Sequence, residues 1–357
     1  MRARVPNRVV AAVHIEDADR AAFEAAGTDE DQAARVAAIL VWCDLIGRQT
    51  HGTWRLAILC KRVELGLVSC PCRPKIESGA PGVLSMDGDN GFGLMVSELA
   101  MNHAIDAARQ VGIGVVGVRN SNFFGAGAFY GNQAATAGMI GIATSNSVPQ
   151  VAAIGGRRQV LGTNPFAFGA PRRNGRHFLL DMATSGLAGS TTRRLIERNE
   201  PLPEGFAIDA EGRPVTDPRK VKEGALLPFG GHKGYGLALM VEILSGVLTG
   251  AGISDEVKSM YRDFEGGGNN GHFIVALDIR RLMPLDRWYD RLEHMLEMLR
   301  ASGPESPGVR YPGEGRWDAY AEGVQLGVAL EESTVEALAK LAAEYNVRVP
   351  WEPAPGP

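Results

Sequence analysis

The 357-residue chain lacks any apolar run of about 18 residues, so no segment reads as a membrane-crossing helix. Residues 1–20 are broken by charge and hold only a short apolar stretch, so we expect no secretory signal there. Cysteine is scarce. The four present (Cys43, Cys60, Cys70 and Cys72) lie in the first fifth of the chain. Cys70-Pro71-Cys72 has the wrong spacing for a redox or zinc pair, and no second pair follows, so we expect reduced thiols and no metal. From these features we expect a cytoplasmic protein. No charge excess marks the whole chain either: 37 basic residues stand against 41 acidic ones, net −4. Nothing global therefore recommends a nucleic-acid or membrane-surface partner. No Gly-X-Y period and no internal repeat occur, which excludes collagen.

Glycine is what the chain has in excess, with 45 residues. In a globular sequence this means many tight turns, or backbone brought close to a ligand. The length exceeds what one compact core usually holds. Helical periodicity runs from Thr28 to about Gly66 and returns from Leu285 onward, at Trp288–Ala301 and Ser333–Tyr345. The middle alternates helices and strands: a helix at Leu94–Gln110, strands at Val115–Val118, Gly138–Ala143, Pro165–Gly169, His177–Leu180 and His272–Leu277, and helices near Gly127–Ala137 and Tyr235–Leu248. We read an α/β protein in which 1–78 and 285–357 form a helical lobe. Residues 79–284 form an α/β cofactor-binding domain, and 352–357 a disordered tail.

Gly112-Ile-Gly114-Val-Val-Gly117 matches a dinucleotide fingerprint literally, but it follows a helix and opens a strand. That order is reversed, so it reads as a helix-to-strand turn. The loop Asn120-Ser121-Asn122-Phe123-Phe124-Gly125-Ala126-Gly127 has the useful order of strand, glycine loop and helix, although a plain turn fits it equally well. Its surroundings favour an anion. From Ala107 to Leu180 there is no Asp or Glu, while seven arginines occur. A dinucleotide pyrophosphate or a basic subunit interface would each use that charge. The same lack of acids removes the ribose-binding carboxylate of an ordinary Rossmann half.

Three polar clusters follow: Thr144-Ser-Asn-Ser147, Gly162-Thr163-Asn164-Pro165 and Asp181-Met-Ala183-Thr184-Ser185. Gly230-Gly-His232-Lys233-Gly-Tyr-Gly236 opens a helix with a lysine that opposes the helix dipole, an arrangement suited to a bound anion. Near the N-terminus, Thr50-His51-Gly52-Thr-Trp-Arg55 sets an imidazole and a guanidinium four residues apart, able to face one way. The first can exchange a proton and the second can hold a carboxylate; a surface histidine with a solvated arginine is the other reading.

Taken together and in order, these motifs and Pro312-Gly313-Glu314 resemble the type-2 malate/L-lactate dehydrogenase family, which includes sulfolactate and ureidoglycolate dehydrogenases and cyclic ketimine reductases. The resemblance runs from about residue 30 to 330 and implies a non-Rossmann dinucleotide fold, a homodimer with its active site near the subunit interface, and NAD or NADP as cofactor. It implies hydride transfer at the carbon next to the carboxylate of a small 2-hydroxy or 2-oxo acid. By resemblance, His51 is the acid/base, oriented by Thr50, Arg55 anchors the carboxylate, and Asp181 lies beside the nicotinamide. The cofactor cradle then comprises Ser121, Asn122, Phe123, Phe124, Gly125, Ser147, Thr163, Asn164, Ala183, Thr184, Ser185, His232, Lys233, Gly313, Glu314 and Gly315. Two departures stand out. Relatives commonly carry a histidine where this chain has Phe123, and a Gly-Lys where it has Gly189-Ser-Thr-Thr192. Phenylalanine exchanges no proton. That opens two alternatives: reduction of a cyclic imine, or a dinucleotide-binding protein of weak activity.

Overall fold

The computed structural model describes residues 8–304 and 308–352. Of the tail expected at 352–357, all but Glu352 lies outside the described residues. The chain opens with strand β1 (Arg8–Val10) and helices α1 (Ala12–Ala25) and α2 (Glu30–Leu45). The Asp29 side chain caps α2 by accepting from the Gln32 amide at 3.2 Å. Two short 3-10 turns, Gln49–His51 and Thr53–Arg55, lead into α3 (Leu56–Glu64).

The body then begins. A hairpin of β2 (Lys75–Ala80) and β3 (Val83–Gly91) precedes α4 (Gly93–Val111), β4 (Ile113–Ser121), α5 (Gly127–Thr136) and β5 (Met139–Ser145). Short strands β6 (Val151–Ala152) and β7 (Gln159–Leu161) come before the longer β8 (Phe166–Ala170) and β9 (Phe178–Met182). After α6 (Gly189–Arg198), β10 (Ala207–Ile208) and β11 (Ala225–Leu226), helix α7 (His232–Glu242) runs on through a π turn at Ile243–Val247. Strand β12 (Asn270–Asp278), helices α8 (Leu285–Ala301) and α9 (Glu314–Leu326), strand β13 (Val328–Leu330) and helix α10 (Glu332–Tyr345) complete it.

The main sheet has seven strands in the order β2-β3-β4-β12-β5-β8-β9. β3 and β4 are parallel, joined through α4, whereas β12 lies antiparallel to both β4 and β5 and separates them. In a Rossmann sheet the equivalent of β4 and β5 would be neighbours; the late strand wedged between them makes this sheet a different one. Helices α4 and α5 cover one face. Alanines 100, 104 and 108 of α4 are fully buried against Val116, Val118 and Ile274, so helix and sheet approach closely. Gly114 is needed for that approach, since a Cβ there would sit 1.9 Å from the Ala104 carbonyl oxygen. Gly112 is the left-handed C-cap of α4 at φ 95°. The literal fingerprint at 112–117 is thus a helix-to-strand turn.

The chain ends meet. β1 pairs antiparallel with β13, and Ile15 and Phe23 of α1 share a core with Leu338 and Leu341 of α10. Helix α8 is placed elsewhere, its Trp288, Leu292 and Leu296 packing with Tyr311 and with Phe178 of β9. Several elements exceed the sequence expectation, including the short strands β1, β6, β7, β10, β11 and β13. α1 was hidden by its charges and α6 by its polarity, the β2–β3 hairpin by weak strand formers, and α9 by the Pro/Gly run before it.

Candidate active site

The His51 loop is fixed from behind. Thr53 donates its amide to Asp44 Oδ2 at 2.9 Å and its hydroxyl to Asp19 Oδ2 at 2.8 Å. Both carboxylates are buried, reaching the loop from α2 and α1. Gly52 lies so close to Asp44 that a Cβ would come within 2.0 Å of Oδ1. Burial without a cation pushes the Asp44 carboxyl up to about 7 and raises Asp19 well above the usual range.

In front of this clamp, Thr50 Oγ1 meets His51 Nδ1 at 3.1 Å. Desolvation, then the positive charge of Arg55, hold the imidazole down near 3 despite the opposing pull of Asp181. His51 is therefore a neutral imidazole. Its ring stacks on Phe123 at 6.2 Å between centroids and 23° between planes. Arg55 is buried at 7% exposure and donates Nε to the Thr50 carbonyl at 2.8 Å and Nη1 to the Tyr261 hydroxyl. Its guanidinium lies over Trp54 and Phe123, at 4.7 and 4.9 Å. Among the described residues no carboxylate pairs with it.

His51, Arg55, Phe123 and Tyr261 line a cavity of about 460 Å³, a size usual for ligand sites. Asp181 enters from the end of β9. It accepts from the Ala128 amide at the start of α5 (3.2 Å) and pairs with Arg316 at 3.4 Å. Its main-chain carbonyl receives Arg48 at 3.3 Å and Arg316 at 3.0 Å. Cavity lining also comes from Asn122, Phe123, Phe124 and Gly125 of the glycine loop and from Ser147, Thr163 and Ala183 of the polar clusters. The lining carries seven cationic side chains against one carboxylate, Asp181.

Other expected site residues stand just behind the wall. Ser121 Oγ meets the buried His272 at 2.8 Å, and Asn164 donates to Glu242 at 2.7 Å and lends its Oδ1 to the Ser147 amide at 3.1 Å. Thr184 is pinned to the carbonyls of Thr163 and Asn164, and Ser185 to that of Leu187. Five residues are not brought to the cavity. His232 and Lys233 are exposed at the first turn of α7, and Gly313, Glu314 and Gly315 form the start of α9, with Gly313 against Leu179.

Sequence reasoning missed Arg48, Arg193, Tyr261 and Arg316, along with the acids Asp19 and Asp44. Arg48 and Arg316 carried a signal, each within three residues of a motif that had been singled out. Arg193 likewise adjoins the singled-out Gly189–Thr192 stretch, whereas Tyr261 carried no signal, because only the fold brings residues 193, 261 and 55 to one place. Among the described residues, no group of three or more His, Cys, Asp or Glu side chains could hold a metal.

A neutral imidazole beside an unpaired, buried guanidinium in a cationic cavity, on a sheet that is not a Rossmann sheet, is a site suited to holding an anion and exchanging a proton. The comparisons with known proteins agree: the chain belongs to the malate/L-lactate dehydrogenase family, whose pattern matches residues 10–339. It is 38% identical over 335 residues to the malate dehydrogenase of Pyrococcus abyssi, covering 90% of this chain and 91% of that one. It is 34% identical to the Delta(1)-pyrroline-2-carboxylate/Delta(1)-piperideine-2-carboxylate reductase of Pseudomonas aeruginosa, covering 80% of this chain and 84% of that one. The malate dehydrogenase structure from Entamoeba histolytica superposes with a TM-score of 0.92 at 28% identity, over 97% of this chain and 100% of that one. The expected fold class is the observed one.

Proposed function

We propose that the protein is a nicotinamide-dependent oxidoreductase that moves hydride between its cofactor and the carbon next to the carboxylate of a small 2-hydroxy or 2-oxo acid. The observation that carries this reading is the pair His51 and Arg55: a neutral proton exchanger beside a buried guanidinium with no carboxylate of its own. Arg55 holds the substrate carboxylate through its planar fork. His51 takes the hydroxyl proton during oxidation and returns it during reduction. Thr50 engages Nδ1, so Nε2 is the nitrogen that exchanges the proton. Asp181, fixed by Arg316 and the Ala128 amide, keeps a negative charge near the reacting centre. NAD or NADP fits a lining of this charge, whose hydroxyls at Ser147 and Thr163 can bond a polar ligand. When bound, it supplies or takes the hydride. Titration with NADH and NADPH, followed by turnover of 2-oxo acids in the wild type and in His51→Ala, tests this. Turnover that survives in His51→Ala would overturn the role of His51.

A second reading is reduction of a cyclic imine. Phe123 stacks on the His51 ring where relatives commonly carry a second proton exchanger, and an already protonated iminium needs no strong acid to accept hydride. Strong turnover of 2-oxo acids with no activity on cyclic imines would remove it.

A cytoplasmic homodimer goes with this function. Leu239, Ile243, Val247 and Leu248 form an exposed apolar stretch on α7 and its π turn, suited to a second subunit. The four cysteines are free thiols, as a reducing compartment would keep them. No described helix is long and apolar enough to cross a membrane. We would divide the chain into a helical lobe and an α/β body near residue 79, and assign α8 to the body that it packs against.

A further inference from the structure

We propose that Arg62 is a positioning residue of this site: it ties the loop at 258–268 to helix α3 and so holds Met260 and Tyr261 against Arg55. The inference rests on the reading of Arg55 as the group that takes the substrate carboxylate. The loop precedes β12 and lines the cavity with Lys258, Ser259, Met260, Tyr261 and Arg262. Arg55 stands at the start of α3 and Arg62 seven residues on, two turns along the same face. Arg55 meets side chains of the loop, its Nη1 donating to the Tyr261 hydroxyl and lying 3.9 Å from Met260 Sδ. Arg62 meets the backbone. Its Nη1 donates to the carbonyls of Met260 at 3.4 Å and Asp263 at 2.9 Å, and its Nη2 to that of Gly266 at 2.9 Å.

The bonding pattern makes the case. Arg62 is 2% exposed, and among the described residues no carboxylate pairs with it. Asp263, in the loop itself, spends its carboxylate on the Ser259 amide. The charge of Arg62 is therefore met by main-chain dipoles, all of them from one loop. Carbonyls spread over residues 260–266 need donors set apart in a fixed plane, which a guanidinium has and an ammonium lacks. Among the described residues, Arg55 and Arg62 are the only groups outside the loop that hydrogen-bond residues 259–267. The base is closed without them: the Lys258 amide donates to the Gly268 carbonyl at 2.9 Å, and the Gly268 amide to Asn122 Oδ1 at 2.7 Å. Loss of Arg62 thus frees the middle of the loop, where Met260 and Tyr261 lie, and leaves its base in place. The effect falls on the carboxylate end of the cavity.

The test uses Arg62→Met, Arg62→Lys, Tyr261→Phe and the double variant Arg62→Met/Tyr261→Phe, with NADH and oxaloacetate. Arg62→Met should raise the KM for oxaloacetate by roughly 10-fold, keep kcat within about 3-fold and keep NADH affinity within about 2-fold. Arg62→Lys should recover part of the loss, and it carries the same comparisons if Arg62→Met does not fold. Because both residues act on one contact, the double variant should be no worse than the worse single one. Losses that multiply in the double variant, or kcat and NADH affinity falling together with KM, would overturn the assignment. Trypsin judges the tie without turnover, since Lys258 and Arg262 are exposed cleavage points in the loop. Cutting there should be at least about 5-fold faster in Arg62→Met than in the wild type; equal rates would overturn the tie. Calorimetry with oxalate completes the test: weaker binding in Arg62→Met supports the assignment even if no 2-oxo acid reacts, in which case only the proposed function falls. Unaltered oxalate binding overturns it.

Discussion

Replacing Gly52 by alanine should damage both stability and activity, for a reason specific to Asp44. The backbone at Gly52 has φ −95° and ψ −148°, so no left-handed strain is involved. The obstacle is contact. The new Cβ would lie 2.0, 2.3 and 2.7 Å from Asp44 Oδ1, Cγ and Oδ2, far inside ordinary contact at about 3.5–4.0 Å. The carboxylate must move, and its 2.9 Å bond from the Thr53 amide goes with it. Losing a buried bond to a charged group costs about 1.5–3 kcal/mol, and overpacking adds about 1–3 kcal/mol. We expect about 3–5 kcal/mol in all, read from urea unfolding followed by tryptophan fluorescence. The mechanism is checked in an Asp44→Ala background, where the wall is gone and Gly52→Ala should cost under about 1 kcal/mol. Because His51 adjoins Gly52, kcat/KM should also fall in the single variant. A cost below about 1 kcal/mol in the wild type, or an equal cost in both backgrounds, would refute the reasoning.

Three further expectations follow from the site and its surroundings. The free-enzyme His51 is held near 3, so kcat/KM for oxidation of a 2-hydroxy acid should stay level from about pH 8 down to pH 5; an acid limb near the ordinary histidine value of about 6.5 would contradict the burial argument. Asp44, raised to about 7 in the fold, binds its proton more tightly there than in the unfolded chain. Its contribution is therefore complete below the unfolded carboxyl value and lost as pH rises toward 7. Asp44→Asn should flatten that slope and stabilise the protein by about 2 kcal/mol at pH 8, half of what the full shift would give; chemical unfolding at pH 5 and pH 8 reads this, and an unchanged slope would count against it. Val247, 60% exposed, should be central to a dimer face, so Val247→Asp should halve the mass seen by light scattering; an unchanged dimer would place the interface elsewhere.

Elements with strong local signals were legible in the sequence. α4, β4, β5 and β12 carry clear periodicity and sit where it places them. The glycines also proved readable once context was weighed: those at 112–117 serve packing, and Gly125 lines the cavity. The gaps share one physical cause. β12 enters the sheet from the end of the body, between strands far earlier in the chain, and local pattern holds no trace of that pairing. Arg193 and Tyr261 reach Arg55 only through the fold. Asp19 is one acid of a charge-rich helix until α1 packs on α2 and buries it against Thr53. His232 and Lys233 show the converse, a motif plain in sequence whose side chains stand at the surface of the chain taken alone.

The central claim is hydride transfer between a nicotinamide and the carbon next to a carboxylate. Incubation with NADH deuterated at its transferring carbon, together with a 2-oxo acid, tests it by mass spectrometry of the product. The account predicts a 2-hydroxy acid bearing the deuteron on carbon 2, formed by the wild type and lost in His51→Ala. A product without deuterium at that carbon, or no reduced product from any 2-oxo acid or cyclic imine offered, would contradict it.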